Sequence, residues 1–156
     1  MLSIDIPGWK TLHLDHLFLD YNGTLALDGK VLPGVRERLQ ELAVSLEIHV
    51  LTADTFGSVR EELGETPCDL LIIPDMDQAK AKADYLESFK PSGSVAVGNG
   101  RNDALMLQKA ALGIALLQDE GSATQTLNAA DVVCRSILDA LDLLRKPLRL
   151  TATLRD

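Results

Sequence analysis

Phe18-Leu19-Asp20-Tyr21-Asn22-Gly23-Thr24-Leu25 ends an apolar run on one carboxylate and follows it at once with a glycine-bearing turn. The run itself, Leu14–Asp20, reads as a buried strand. A carboxylate delivered to a strand end can act as a nucleophile toward phosphorus and form an aspartyl-phosphate. Asn22, two residues beyond it, offers no acid.

The same kind of strand recurs along the chain, separated by helical periods. Val35, Leu39, Leu42, Ala43 and Leu46 keep helical spacing on one face, and Glu47–Thr52 (EIHVLT) follows as a second strand. Thr55 can cap a helix running to about Leu63, with Gly64 as its stop. Cys68–Pro74 is a third strand, and a helix spans about Asp77 to Phe89 before Pro91-Ser92-Gly93 breaks it. Ser94–Gly98 is a fourth strand, Asn102–Ala111 a helix, and Leu112–Leu117 a fifth strand. A short helix near Ser122–Ala129, a strand at Asp131–Cys134 and a helix at Ile137–Leu144 complete the alternation.

Strand–helix alternation with near-continuous apolar strands predicts an α/β domain: a doubly wound, Rossmann-like parallel sheet in three layers. The whole of 1–156 reads as one domain, long enough for a real core. Two stretches stand outside the pattern. Residues 1–13 read as a hairpin around Pro7-Gly8, added to a sheet edge, with Trp9 plugging the bottom or edge of the sheet. Residues 24–34 contain Asp28-Gly29, a hairpin turn signal, and predict a small flap beside the first strand's end.

Composition excludes several classes. Apolar residues make up 46%, too many for a disordered chain, and aromatics only 4%, so aliphatic side chains must build the core. A net charge of -8 argues against a nucleic-acid face and against docking to anionic lipid. No apolar stretch approaches a membrane span, and no signal peptide is visible, so the default location is cytoplasmic. Cys68 and Cys134 read as small buried thiols. His13, His16 and His49 show no ligand spacing, and His49 reads as a packed or edge histidine.

In doubly wound sheets the ligand sits beyond the carboxyl ends of the strands. Four such ends carry polar residues here. The first gives Asp20 and Asn22; the second ends Thr52-Ala53-Asp54, where a hydroxyl and backbone N–H groups can hold a phosphate oxygen. The helix after the third carries Lys80 and Lys82, either able to neutralise phosphate charge. The fourth ends Gly98-Asn99-Gly100-Arg101-Asn102-Asp103, with two glycines for close approach and oxygen donors for Mg²⁺. A nucleophile, a metal and donors around equatorial oxygens are what phosphoryl transfer requires.

These residues resemble the haloacid dehalogenase-like (HAD) hydrolase superfamily, and within it the phosphorylation domain of P-type ATPases and its small soluble relatives. DYNGTL at 20–25 resembles the DKTGT-type site, LTAD at 51–54 resembles LTGD, and VGNGRNDALML at 97–107 resembles VGDGxNDxxAL. The likeness runs from about residue 14 to the C-terminal helix.

The resemblance implies that Asp20 is the nucleophile and a metal ligand, and that Asn22 offers its carbonyl to the metal. Thr52, the backbone of Gly23 and Ala53, and Lys82 would bind the phosphoryl group, with Lys80 the fallback for Lys82. Asp103 and Asn99 would complete a Mg²⁺ site, with Asn102 assisting. Two positions depart from the pattern. Superfamily phosphatases carry an acid–base Asp where this chain has Asn22, and an amide can neither protonate a leaving group nor activate water. Asn99 replaces a metal-binding Asp and removes one charge.

The resemblance also implies a capless core: no large insertion lies between Gly23 and Pro33 or between Pro74 and Lys82. An open site suits a large phosphorylated partner or closure by a second subunit, and Leu148, Leu150 and Leu154 in the tail suit subunit packing. With no span and no room for a nucleotide-binding insertion before Thr52, no ion pumping is expected. The expected function is a Mg²⁺-dependent phosphohydrolase or phosphotransferase of low turnover through phospho-Asp20. The alternatives are a non-catalytic phosphate- or partner-binding domain and an ATPase-like phosphoacceptor.

Overall fold

The computed structural model describes residues 1–54 and 58–156. The chain begins with an antiparallel hairpin of β1 (Leu2–Ile6) and β2 (Lys10–Leu14). It alternates cleanly: Ile4, Ile6, Leu12 and Leu14 are buried while their neighbours face out. The hairpin forms its own two-stranded sheet and does not extend the central one, contrary to the sequence expectation. Leu14 belongs to this hairpin, so the first central strand begins only at His16. Trp9 sits at the turn, 38% exposed, with the Lys10 ammonium 3.8 Å over its ring; it plugs nothing.

The central strand β3 (His16–Asp20) delivers Asp20 to its end, and the flap follows as β4 (Ala26–Leu27) and β5 (Lys30–Val31). Its turn residues Asp28 and Gly29 both take positive φ, as a two-residue hairpin of this hand requires. Next come α1 (Val35–Leu42), β6 (Glu47–Thr52), α2 (Ser58–Leu63) and β7 (Asp69–Ile72). The expected cap Thr55 lies outside the described residues; the expected stop, Gly64, has φ 58 and donates its N–H back to Arg60.

The second half adds α3 (Gln78–Glu87), β8 (Ser94–Gly98), α4 (Ala104–Lys109), β9 (Leu112–Leu116), α5 (Thr124–Ala129), β10 (Val132–Cys134) and α6 (Ile137–Arg145). A final helix, α7 (Pro147–Leu154), was not anticipated. Pro147 supplies a preset φ at its first position. Leu150 is fully buried and Leu154 packs on the same core, so these two leucines serve their own chain; Leu148 alone stays exposed.

Six parallel strands form one sheet in the order β10-β9-β8-β3-β6-β7. The chain winds outward one way from β3, then returns and winds the other way from β8. Side chains alternate across the sheet. Leu17, Leu19, Ile48, Val50, Val95 and Val97 face one apolar layer, shared with α1, α6, α7 and the hairpin. Phe18, Leu51, Ala96 and Ala115 face the other, shared with α3, α4 and α5. Small residues on this second face bring α4 close: a Cβ on Gly113 would stand 2.6 Å from the Leu107 carbonyl oxygen.

The second face also holds an aromatic cluster at the start of the strands. His49 is fully buried and stacks on Phe18 with centroids 4.5 Å apart, and Phe89 and Tyr85 close over it. Burial, reinforced by neighbouring His16, pushes the His49 imidazole below its usual pKa. Both cysteines are free; Cys134 is buried and Cys68 half-buried. Among the described residues no helix is long and apolar enough to cross a membrane.

Candidate functional site

The switch point between β3 and β8 brings together the ends of the two strands that start the opposite windings. Asp20 and Asn99 meet there although 79 positions of sequence number separate them. Beside them a cleft of about 210 Å³ is lined by Asp20, Asn22, Thr52, Ala53, Lys82, Asn99 and Asn102, with Ile73, Gln78, Gly100 and Glu120 completing it.

Lys82 organises the floor. It is 1% exposed, and its Nζ donates to Asp20 Oδ1 and to Asp103 Oδ1, both at 2.6 Å. A third contact reaches Asn102 Oδ1 at 3.4 Å. Burial disfavours the ammonium, but the two carboxylates outweigh it and hold the Lys82 pKa above its ordinary value. Lys80, the alternative left open by sequence, points to solvent and pairs with Asp84 one turn on.

Asp20 responds in the opposite sense. Burial, then the nearby Asp103 charge, raise its pKa to about 7, and Lys82 only partly offsets them. Thr24 donates its hydroxyl to Asp20 Oδ2 at 3.2 Å. This threonine is fully buried, and its O–H also stands 3.4 Å from Asn99 Oδ1. It lay inside the quoted motif, but a small hydroxyl in a turn carried no separate signal.

Asp103 is committed elsewhere. Its Oδ2 accepts the backbone N–H groups of Asn99 at 3.1 Å and Gly100 at 2.9 Å, while Oδ1 takes Lys82. Both carboxylate oxygens therefore hold the loop and the lysine, and Oδ1, with one donor, keeps a lone pair on the side of Asp20. Gly98 makes this possible: a Cβ there would come within 2.5 Å of Asp103 Oδ2.

The Asn99 amide is oriented by its other end, since Nδ2 donates to the Gly121 carbonyl at 3.0 Å and turns Oδ1 toward Thr24 and Asp20. Asn102 is tied sideways, donating to Gln78 Oε1 at 2.6 Å. Thr52 is buried and accepts the Asp54 N–H at 3.1 Å, which leaves its own hydroxyl hydrogen for a ligand. Ala53 lines the cleft beside it. Asn22 is exposed at the rim, and Gly23, with φ 79, turns the chain beneath it.

The β9–α5 loop contributes two residues that the sequence reading missed. Gln118 donates from Nε2 to the carbonyls of Gly23 and Thr24, both at 2.8 Å, and clamps the turn after Asp20. Glu120 lays its carboxylate against Gly23; a side chain at position 23 would collide with it and would stand 2.7 Å from Asn99 Nδ2. Glu120 is thus a carboxylate at the cleft in a region where Asn22 and Asn99 supply amides.

The fold is that of the HAD-family phosphatases. The chain superposes with TM-score 0.71 on 3-deoxy-D-manno-octulosonate 8-phosphate phosphatase from Moraxella catarrhalis, solved with magnesium ion, phosphate ion and KDO. The identity is 15%, covering 92% of this chain and 94% of that one. The cobalt-bound deoxy-D-mannose-octulosonate 8-phosphate phosphatase from Haemophilus influenzae gives 0.68 at 12% identity, covering 92% and 94%. Phosphoserine phosphatase in its apo form gives 0.63 at 17%, covering 84% and 99%.

By sequence, the chain is 45% identical over 80 residues to the uncharacterized protein MJ0073 of Methanocaldococcus jannaschii, covering 49% of this chain and 86% of that protein. It is also 54% identical over 39 residues to the uncharacterized protein MJ0072 of the same organism, covering 25% and 89%. The chain belongs to the same family as MJ0073. No protein-family model matches it.

Proposed function

We propose that the chain is a metal-dependent phosphohydrolase that works through an aspartyl-phosphate on Asp20. The observation that carries this reading is the Lys82 ammonium bridging Asp20 and Asp103 at the floor of the switch-point cleft. Lys82 fixes Oδ1 of Asp20, so Oδ2 is the oxygen presented for in-line attack on phosphorus. The Thr52 hydroxyl and the backbone beside Ala53 bind the equatorial oxygens; the Gly23 N–H is instead donated to the Ala26 carbonyl at 2.8 Å and closes the turn. The leaving oxygen departs from the face opposite Asp20, toward the open rim.

The donor set fits Mg²⁺. Asp20, the Asn22 carbonyl and Asn99 Oδ1 are all oxygens, the chemistry this ion prefers. Burial first, and then the Asp103 charge, disfavour the ionised Asp20 carboxyl, and a cation beside it would favour that form. When bound, the ion neutralises charge on the transferring group. Asp103 supports the site through Lys82 and the 98–100 loop.

Turnover is slow because Asn22 cannot carry a proton to the leaving group or take one from water. In this respect the site is closer to a P-type ATPase phosphorylation site than to an ordinary phosphatase. Glu120, which lines the cleft, is a carboxyl able to take part of that work. The test is hydrolysis of an aryl phosphate with Mg²⁺ by the native chain and by Asp20→Asn; equal rates would remove the proposal.

The two amides also favour a second reading, a phosphate-binding domain without turnover. Incubation with a small acyl-phosphate donor and acid quenching separates the two. A covalent adduct on Asp20 supports the enzyme, and its absence at saturating donor and metal supports binding alone.

A further inference from the structure

A separate constellation lies at the other end of β3, about 13 Å of strand from Asp20. His16 opens β3, Glu47 opens β6 directly opposite it, and His49 follows on the same face of the sheet. The spacing in sequence concealed this group; the parallel register assembles it. His16 Nδ1 stands 3.3 Å from His49 Nε2 and 3.4 Å from Glu47 Oε2, and the three donor atoms all lie within 4.8 Å of one another. Ligands held tetrahedrally about 2.0–2.2 Å from zinc stand about 3.3–3.6 Å apart. Two of the three edges already have that length.

A proton on His16 Nδ1 can serve His49 Nε2 or Glu47, but one at a time. His16 Nδ1 has one in-plane position but two partners. Protonated, it donates to only one of them; bare, it turns a lone pair toward the Glu47 carboxylate. A cation would accept all three lone pairs at once.

The surroundings hold the rings in place. His49 is clamped between Phe18 and Phe89, and His16 packs 4.9 Å from Phe89. The far nitrogen of His49, Nδ1, faces Tyr85 Oη at 3.3 Å and Asp69 Oδ2 at 3.8 Å. Metal-bound histidines ordinarily give their second N–H to such an oxygen. The Glu47 side chain is 70% exposed, and a groove of about 400 Å³ leads in past Asp15 and Lys90. The N-terminal ammonium in that groove donates to the Ser45 carbonyl at 2.6 Å and stands 3.9 Å from Asp15.

We propose that His16, His49 and Glu47 form a three-ligand site for a borderline transition-metal ion, zinc fitting best, with water in the fourth position. Two imidazoles and one carboxylate select zinc, cobalt or nickel over magnesium. The ion would staple β3 to β6 beneath α3, remote from the switch-point cleft and independent of what that cleft does.

The test is a Zn²⁺ titration of the full chain in excess Mg²⁺, against a chromophoric chelator, with thermal melts in parallel. One zinc per chain is expected. His16→Gln and Glu47→Gln should each weaken binding by more than the about 10–100-fold that loss of a supporting partner costs. Asp20→Asn should leave stoichiometry and affinity unchanged. Zinc should raise the melting temperature of the native chain but not of Glu47→Gln, which changes an exposed residue and folds without it. Failure to compete with the chelator, native affinity retained in either ligand variant, or loss of binding in Asp20→Asn would each overturn the site.

Discussion

Lys82 Nζ lies 2.6 Å from Asp20 Oδ1 while being 1% exposed, so a lysine from the helix after β7 is buried to hold a carboxylate on β3. Removing one partner of such a group strands buried charge. Lys82→Met should destabilise the fold by about 3–5 kcal/mol, the usual cost of breaking a buried pair, and should abolish any phospho-Asp20. Lys80→Met, on the solvent face, should change neither. Urea denaturation with donor labelling compares the two, and equal effects would refute the assignment of Lys82.

The Asp20 carboxyl makes the metal-free protein sensitive to pH. Its folded pKa is raised from 3.8 to about 7, so the folded state holds a proton that the unfolded chain has released. That contribution is fully present below about pH 4 and is lost as pH rises through about 7. In chelator, stability should therefore fall across this window, by an amount on the order of a few kcal/mol. Asp20→Asn should flatten that component, and Mg²⁺ should flatten it in the native chain. A native profile parallel to that of Asp20→Asn would contradict the raised pKa.

Asn22→Asp should restore an acid at the rim. If proton transfer limits turnover, hydrolysis rises by about 10²–10⁴-fold, the range of general acid–base catalysis. Glu120→Gln in the native background should lower the residual rate. No gain from Asn22→Asp would identify the metal site, weakened by Asn99, as limiting.

Gly98→Ala probes the loop. The added methyl would push Asp103 off the Asn99 and Gly100 N–H groups, costing about 1–3 kcal/mol as overpacking. Phosphate and Mg²⁺ affinity should fall with it, measured by calorimetry. Gly29→Ala in the flap turn, where no atom lies within 4 Å, should cost only backbone strain and leave affinity alone.

The central sheet was legible because its strands are nearly continuous apolar runs, and Glu47–Thr52 and Ser94–Gly98 match the observed strands residue for residue. The site was legible where a side chain stands at a strand end: Asp20, Thr52 and Asn99 all reach the cleft. The resemblance put Lys82 ahead of Lys80, and burial separates them in the same direction. What stayed hidden acts across the chain or through the backbone. Gln118 touches only carbonyls, and Thr24 is a turn hydroxyl. His16 and His49 meet only once β3 and β6 are in register. The tail leucines were assigned to subunit packing because no helix was read past Lys146-Pro147, yet proline starts a helix as readily as it ends one.

The pairing of β3 with β8 has a kinetic meaning. These neighbours at the centre of the sheet start at His16 and Ser94, so the loop closed between them is about half of the chain. Such closure is costly and comes late when folding is governed by contact separation. Asp20 and Asn99 cannot face one another before it happens. Any ion or phosphate that bridges them therefore binds only molecules whose two halves have already docked, and draws the folding equilibrium toward that state. Occupancy of the cleft is then also a readout of how many chains have joined the two windings of the sheet.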